Sequence, residues 1–156
     1  MRMSPQEMDE LVEAHVGAEA TGDVAAAVAM YTDDIEHDVV GAPGGPLHGP
    51  DAAALRYEGL MREVEQDELI RTRTYYGGDF CVVEHHTTCR VVGRFAGILG
   101  HGRRVSFRML HIFAFRDGGI SRENVWMDTA SVMAQLTESP STTPVTASAP
   151  VPAGLR

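Results

Sequence analysis

The sequence is short of cysteine, of basic residues and of long apolar runs, and each shortage excludes a class of protein. Only two cysteines occur among 156 residues. Cys81 and Cys89 lie in one predicted strand, where a rise of about 3.4 Å per residue places them roughly 27 Å apart. A disulfide needs Cα atoms within about 7 Å. No intrachain bridge is therefore predicted, which suits a reducing compartment.

Basic residues are too few for a protein that binds nucleic acid. Thirteen Lys and Arg stand against 22 Asp and Glu, for a net charge of −9, whereas a phosphate backbone is bound by clustered Lys and Arg. No apolar run is long enough to cross a bilayer, and residues 1–10 lack the apolar stretch of a signal peptide. The sequence predicts a cytoplasmic protein that binds neither nucleic acid nor membrane.

Hydrophobic residues make up 44% of the chain, which is enough for a core. In the first part of the chain these residues recur at helical spacing. The segment Ser4-Pro5-Gln6-Glu7 is a helix start, because it combines a capping box with proline in the first turn. Gly22 is a helix stop. A second helix is predicted over residues 24–31, and a third runs from Pro50 to about Glu65.

In the remainder of the chain, apolar and polar residues alternate as they do in strands. Predicted strands span residues 35–40, 69–76, 80–92, 104–116 and 120–128, and a short helix covers 129–136. The second and third strands form one predicted hairpin, and the fourth and fifth form another. Strands of about a dozen residues twist and bulge, so the predicted fold class is α+β, a curved antiparallel sheet with three helices on its concave face. Residues 1–137 form this domain, and the aperiodic segment 138–156 is predicted to be a disordered tail.

Alternation along the strands assigns side chains to faces. In 104–116, one nearly apolar face carries Val105, Phe107, Met109, His111, Phe113 and Phe115, and should line the interior. In the last strand one face carries Arg122, Asn124, Trp126 and Asp128, which suggests a pocket wall. The other face, with Glu123, Val125 and Met127, could equally be the covered one.

Glu84-His85-His86 looks like a metal cluster, but adjacent strand residues point to opposite faces. His85 and His86 therefore cannot share an ion without a bulge, and no third ligand is evident for Glu84 and His86. No metal site is predicted.

Several segments together resemble a known family. They are Tyr31 to Asp38, His48 to Ala52, Phe113 to Ile120 and Glu123 to Ala130 followed by Gln135-Leu136. Their order resembles the nuclear transport factor 2-like superfamily, and Trp126-Met127-Asp128 resembles its SnoaL-like polyketide cyclases. The resemblance covers residues 8–136. It implies a cone-shaped domain, and fold alone does not settle function.

The resemblance implies a catalytic acid near the end of the last strand, which matches Asp128. A carboxylate in an apolar pocket has a raised pKa and is a stronger base. The alternative is that Asp128 caps the following helix. His111 is the candidate proton donor or shuttle, or else a core histidine, and His37 matches a position that often carries a pocket residue. Tyr57 and Tyr76 are candidate pocket walls or hydroxyl donors.

The predicted function is a cofactor-independent cyclase, or a related lyase or isomerase, of polyketide or antibiotic biosynthesis. Its substrate would be a small, hydrophobic carbonyl compound bound by Trp126, Asn124, Met109, Phe113 and the two tyrosines. The alternatives are an epoxide hydrolase or epoxide-opening cyclase of the same fold and a non-catalytic binding domain. A homodimer through the outer face of the sheet is also predicted.

Overall fold

The computed structural model describes residues 2–138, which form four helices and one main sheet. The helices are α1 (Pro5–Ala20), α2 (Val24–Val28), α3 (Pro50–Glu63) and α4 (Thr129–Thr137). The predicted capping box starts α1, with Ser4 Oγ accepting from the Glu7 amide at 3.3 Å and the Glu7 carboxylate accepting from the Ser4 amide at 2.7 Å. Within the described residues, none of the four helices combines the length and the apolar content of a membrane span.

Six strands form the main sheet, in the order β2-β1-β8-β7-β4-β3. They are β1 (Tyr31–Val39), β2 (Leu47–His48), β3 (Val64–Tyr76), β4 (Phe80–Val91), β7 (Arg103–Arg116) and β8 (Gly119–Met127). A separate small hairpin joins β5 (Arg94–Phe95) to β6 (Ile98–Leu99). Both predicted long hairpins are present and antiparallel, whereas β1 pairs with β8 in parallel.

Three element boundaries differ from the sequence prediction by three residues or more. The second helix ends at Val28, and β1 begins at Tyr31 instead of Ile35. β3 begins at Val64 instead of Leu69, so it includes the polar run 65–68. An edge strand tolerates such polar residues because it pairs on one side only.

Turns and bulges give the sheet its curvature. Asp117 and Gly118, with φ of 54° and 83°, make the two-residue turn between β7 and β8, and positive φ at both positions is the geometry of a tight hairpin. The β3–β4 pairing shifts register twice and the β7–β8 pairing once. Such bulges bend a strand and increase its twist, which folds the sheet around the helices.

The interior of the domain is divided. One apolar cluster joins α1 and α3 to the sheet through Met8, Val12, Tyr57, Val83 and Phe113, among others. A second, beneath α4, contains Cys89, Val91, Val105, Phe107, Val132 and Leu136. Buried polar side chains occur as well, including four histidines and Glu123. The inner face predicted for residues 105–115 is confirmed, and the predicted tail lies outside the described residues apart from Glu138.

Candidate functional site

Four titratable side chains form a diagonal across the inner face of the sheet. His37 on β1 is in register with Glu123 on β8. His111 on β7 is offset from Glu123 by two residues and one strand, and His85 on β4 is offset from His111 in the same way. Diagonal neighbours of this kind are within reach of long side chains. All four are buried, so the sheet places a row of ionisable groups in the interior.

Glu123 forms the most heavily bonded centre of this row. Its Oε2 lies 3.1 Å from Nε2 of His15 on α1, and accepts hydrogen bonds from the hydroxyls of Tyr31 and Tyr57. The other nitrogen of His15, Nδ1, lies 3.0 Å from the carbonyl oxygen of Ala27. A carbonyl only accepts, so Nδ1 carries a proton, and Nε2 faces carboxylates. His15 is therefore an imidazolium.

The charges of this pair stabilise each other. Burial opposes protonation of His15, but the carboxylates of Glu123 and Glu19 outweigh it and raise its pKa to about 11. Burial also disfavours ionisation of Glu123, yet the His15 charge and hydrogen bond hold the pKa of that carboxyl well below its usual range. Burial and the adjacent carboxylate raise the pKa of both Tyr31 and Tyr57. The centre is thus a permanent ion pair ringed by neutral hydroxyls.

A pair of neutral histidines continues from Glu123. Nε2 of His111 lies 3.8 Å from Glu123 Oε1, and its Nδ1 lies 3.1 Å from Nδ1 of His85. His111 also stacks on Phe113, with ring centroids 5.5 Å apart. Burial lowers the pKa of His111, and burial together with the His111 neighbour lowers the pKa of His85 to about 4. Both rings are neutral at pH 7.

The contacts of the two rings assign their tautomers. The Glu123 carboxylate favours a proton on Nε2 of His111, because that nitrogen faces it. Nδ1 of His111 then accepts from Nδ1–H of His85. In a neutral imidazole only one nitrogen carries hydrogen, so Nε2 of His85 retains its lone pair. The chain Glu123–His111–His85 therefore ends in an unprotonated imidazole nitrogen.

His85 also lines a cleft between α1 and β3. The cleft has a volume of about 480 Å³. Apolar side chains such as Val12, Val16 and Leu69 line it, together with charged ones that include Glu13 and Arg71. A larger groove of about 550 Å³ lies beside the β7–β8 turn, but no histidine lines it. The smaller cleft is therefore the candidate active site.

Five of the predicted site residues lie on the inner side of the domain. His111 and His37 belong to the diagonal, and Tyr57 bonds to Glu123. Phe113 is fully buried beneath His111, and Met109 is half-buried against the second apolar cluster. Nδ1 of His37 has no hydrogen-bond partner among residues 2–138.

The orientation predicted for Asp128 is wrong. Asp128 is exposed and accepts a hydrogen bond from the Ser131 amide at 3.1 Å, so it caps α4. Trp126 is 50% exposed and is paired with exposed Leu110 on the outer face. The cause is the β7–β8 register, which sets Glu123 opposite buried Phe113 and so turns Glu123, Val125 and Met127 inward.

Two further pocket predictions are also wrong. Asn124 is buried, but on the outer side of β8, where it donates to the Asp38 carboxylate at 2.8 Å and accepts from Trp126. Tyr76 is 42% exposed and donates to Asp9 at 2.6 Å on the surface. Neither residue contacts the diagonal or lines the cleft.

Sequence reasoning missed His15, Tyr31 and His85 and left Glu123 as the open alternative. On α1, His15 shares the buried side with Met8 and Val12, and a histidine at such a position is itself a signal of a buried partner. The opposite orientation of His85 and His86 is confirmed, since His85 is buried and His86 exposed.

One group of side chains has the composition of a cation site. Ligand atoms of His15, Glu19 and Glu123 lie within 4.8 Å of one another, which is the kind of donor set a divalent ion takes. The proton on His15 already supplies a positive charge there, at 3.0 Å from Glu19 and 3.1 Å from Glu123.

Comparison with known proteins gives a consistent result. A sequence model for the SnoaL-like polyketide cyclases matches residues 9–136. No curated protein matches the chain significantly.

Among solved structures, TsrD from Streptomyces laurentii is similar at 22% identity and a TM-score of 0.75, over 86% of this chain and 98% of TsrD. An LEH-like epoxide hydrolase from M. tuberculosis is similar at 21% identity and a TM-score of 0.67, over 84% of this chain and 90% of the hydrolase. A protein of ketosteroid isomerase-like fold from Catenulispora acidiphila is similar at 17% identity and a TM-score of 0.68, over 85% of this chain and 93% of that protein. These likenesses show a shared fold.

Proposed function

The chain belongs to the SnoaL-like polyketide cyclase family, and on that basis we propose that it is a cofactor-independent acid–base catalyst acting on an apolar, polyketide-like carbonyl compound. The observation that carries the proposal is the chain Glu123–His111–His85, whose last histidine is unprotonated at pH 7 and lines a partly apolar cleft. A carboxylate that orients a histidine is a recurrent way to activate a base.

The proposed reaction begins with proton transfer. Nε2 of His85 removes a proton from the carbon between two carbonyls. The electron pair of that C–H bond then enters the carbonyl system to give an enolate. The enolate carbon then forms a bond to a second carbonyl carbon of the same molecule. The alkoxide produced takes the proton back from His85, so the protein ends in its starting state.

The buried carboxylate of Glu123 stabilises the protonated form of His85 that this step produces. When His85 becomes positive, its Nδ1–H is held by His111, whose Nε2–H faces Glu123 at 3.8 Å. The negative charge of Glu123 therefore stabilises the positive charge that develops on the two rings, in surroundings where burial weakens screening. His111 and Glu123 are positioning residues in this scheme, and His85 is the catalytic base.

The cleft fits a small, mainly apolar substrate. Its volume of about 480 Å³ lies within the roughly 300–1,000 Å³ typical of small-molecule sites. Valines and a leucine form part of its wall, which suits a carbon chain or fused rings.

Deuterium exchange into 2-tetralone tests the proposal. This fused bicyclic ketone has α-hydrogens whose replacement in D₂O is followed by proton NMR. Wild-type protein should accelerate the exchange, and His85→Gln should lower the enzymatic rate by about 10²- to 10⁴-fold, the usual contribution of a positioned base. His86→Gln is the matched control, because the neighbouring ring is exposed on the opposite face, and it should retain the wild-type rate. Equal rates in the wild type and His85→Gln would reject His85 as the base.

One observation favours a second function, epoxide opening. Arg71 lines the cleft and is paired with Asp9 at 2.8 Å, and the M. tuberculosis relative in fold is an epoxide hydrolase. Such a reaction would consume water, so ¹⁸O from labelled water would enter a diol formed from styrene oxide. Label in the product together with loss of activity in Arg71→Met would favour epoxide opening over cyclisation.

A further inference from the structure

Thr87 is a buried hydroxyl without a partner in the middle of the inner face. It lies two residues after His85 on β4, and so points to the same side of the sheet. Only 4% of its surface is exposed. Its Oγ1 has no hydrogen-bond partner within residues 2–138.

The position of Thr87 is next to the cleft. Its register partner on β3 is Leu69, which lines the cleft as His85 does. Its partner on the other side is the apolar Phe107. The hydroxyl therefore lies between apolar neighbours, and Thr87 adjoins the cleft through Leu69 and His85, which line it.

Such a hydroxyl is costly to the fold unless a ligand uses it. Burying a polar group without a hydrogen bond costs free energy, and most buried polar groups in proteins are paired. Valine has nearly the same shape and would fill this position without that penalty. The adjacent Thr88 shows the usual solution, since its Oγ1 is 2.9 Å from the hydroxyl of Ser106.

We propose that the Thr87 hydroxyl donates a hydrogen bond to the carbonyl oxygen of the substrate and holds that oxygen as it becomes an enolate. The inference rests on the proposed function, because it supplies the donor that proton removal by His85 requires. Donors aimed at a developing oxyanion are among the largest contributions to catalysis.

The spacing of the two side chains suits this division of roles. Residues two apart on a strand are separated by about 6.8 Å. A ketone has its α-carbon and its oxygen on either side of one carbonyl carbon. With hydrogen-bond-length contacts of about 3 Å at each end, it spans a gap of that size. The substrate class is therefore a ketone or ester whose carbonyl is adjacent to the reacting carbon.

Thr87→Val, Thr87→Ser and Thr88→Val, each in the full chain, separate catalysis from stability. Thr87→Val should keep or raise the melting temperature, because it removes an unpaired buried hydroxyl, while exchange into 2-tetralone falls by about 10²-fold. Thr87→Ser should recover most of the rate. Thr88→Val should show the opposite pattern, with a lower melting temperature and an unchanged rate.

Binding of 2-naphthol, a planar mimic of the 2-tetralone enolate, provides a readout that does not depend on turnover. Its dissociation constant, followed by fluorescence, should rise about tenfold in Thr87→Val and not in Thr88→Val. Exchange that depends on His85 but is unchanged in Thr87→Val, with equal 2-naphthol affinity, would overturn the assignment of Thr87 and leave the proposed function standing. Weaker 2-naphthol binding in Thr87→Val without any exchange would support the donor and reject the proposed reaction. Absence of 2-naphthol binding by the wild type would overturn the Thr87 proposal.

Discussion

Among single residues, His15 and Glu123 matter most to both stability and chemistry. Each is fully buried, and they neutralise each other across 3.1 Å. A buried pair of this kind is costly to assemble, but losing one partner is more costly, at about 3–5 kcal/mol, because a lone charge stays behind. The pair therefore links the helix layer to the sheet.

The pair also predicts how stability depends on pH. The pKa of His15 is raised from 6.5 to about 11, so its contribution is complete below pH 6.5 and is lost as the pH rises towards 11. His37, His85 and His111 have a lowered pKa because they are buried. Their contribution is complete above pH 6.5 and is lost as the pH falls. The free energy of unfolding should therefore peak near pH 6.5.

Urea unfolding between pH 5 and pH 8.5 measures this profile. At higher pH the buried thiols of Cys81 and Cys89, whose pKa burial raises to about 11, would add their own alkaline loss of stability. Above pH 7 the wild type should lose about 1 kcal/mol per pH unit, close to the limit for one proton. The double variant His15→Gln/Glu123→Gln removes both charges and should be flat there, whereas His48→Gln, at an exposed position, should decline as the wild type does. An equal alkaline decline in the double variant would show that another group is responsible.

Residue-level prediction from sequence succeeded where one strand face was unambiguous. The apolar alternation of β7 was sufficient to place His111 and Phe113 inside. In β8 both faces mix polar and apolar residues, so composition could not decide between Asp128 and Glu123. The decision came from the pairing of Glu123 with Phe113 across the hairpin, and a shift of one residue in that register would reverse every side chain.

Among the elements, α4 has an unusual connection to the sheet. β8 ends at Met127, so the backbone of Ser106 on β7 has no strand beside it on that side. The side-chain amide of Gln135 replaces that strand, accepting from the Ser106 amide at 2.9 Å and donating to the Ser106 carbonyl at 2.8 Å. One glutamine thus satisfies a donor and an acceptor of the sheet backbone.

Removing that amide should destabilise the domain measurably. Gln135→Ala leaves the two Ser106 backbone groups without their partner, at a cost of about 1–3 kcal/mol for each group that stays buried. A fall in the free energy of unfolding of that order is expected from urea titration. Gln6→Ala, at an exposed position of α1 where Gln6 donates to Glu10, should change the free energy of unfolding by less than about 0.5 kcal/mol. Equal effects of the two substitutions would contradict the role of Gln135.

Prediction of the elements themselves was accurate where hydrophobic periodicity was strong. Both long hairpins and α1 occur where the pattern placed them. The boundaries that moved, at Val28 and Val64, fall where tertiary pairing outweighs local preference. The parallel β1–β8 pairing has no local signal, because it joins segments about 85 residues apart along the chain.

At the scale of the whole molecule, the outer face of the sheet lacks cover within residues 2–138. Three large apolar side chains are exposed on this face, namely Ile70 (46% exposed), Leu110 (37%) and Trp126 (50%). We propose that a second copy of the chain covers this face, since apolar patches on soluble proteins commonly mark interfaces.

Light scattering at micromolar concentration should give the mass of a dimer. Leu110→Glu would place a charge in the interface and should yield a monomer that retains its circular dichroism spectrum. Leu55→Glu, at an exposed position of α3, should leave the dimer intact. A monomeric wild type at the same concentration would reject the dimer.

The buried ion pair has a consequence for descent. Selection for a folded protein alone would preserve His15 and Glu123, since losing either partner leaves a charge unpaired in the interior. A descendant that abandoned catalysis would keep them, while residues whose value lies only in turnover, such as His85 and Thr87, would be free to drift. In this lineage the loss of enzymatic activity should therefore be visible first at the cleft, and the ion pair should be the last part of the site to disappear.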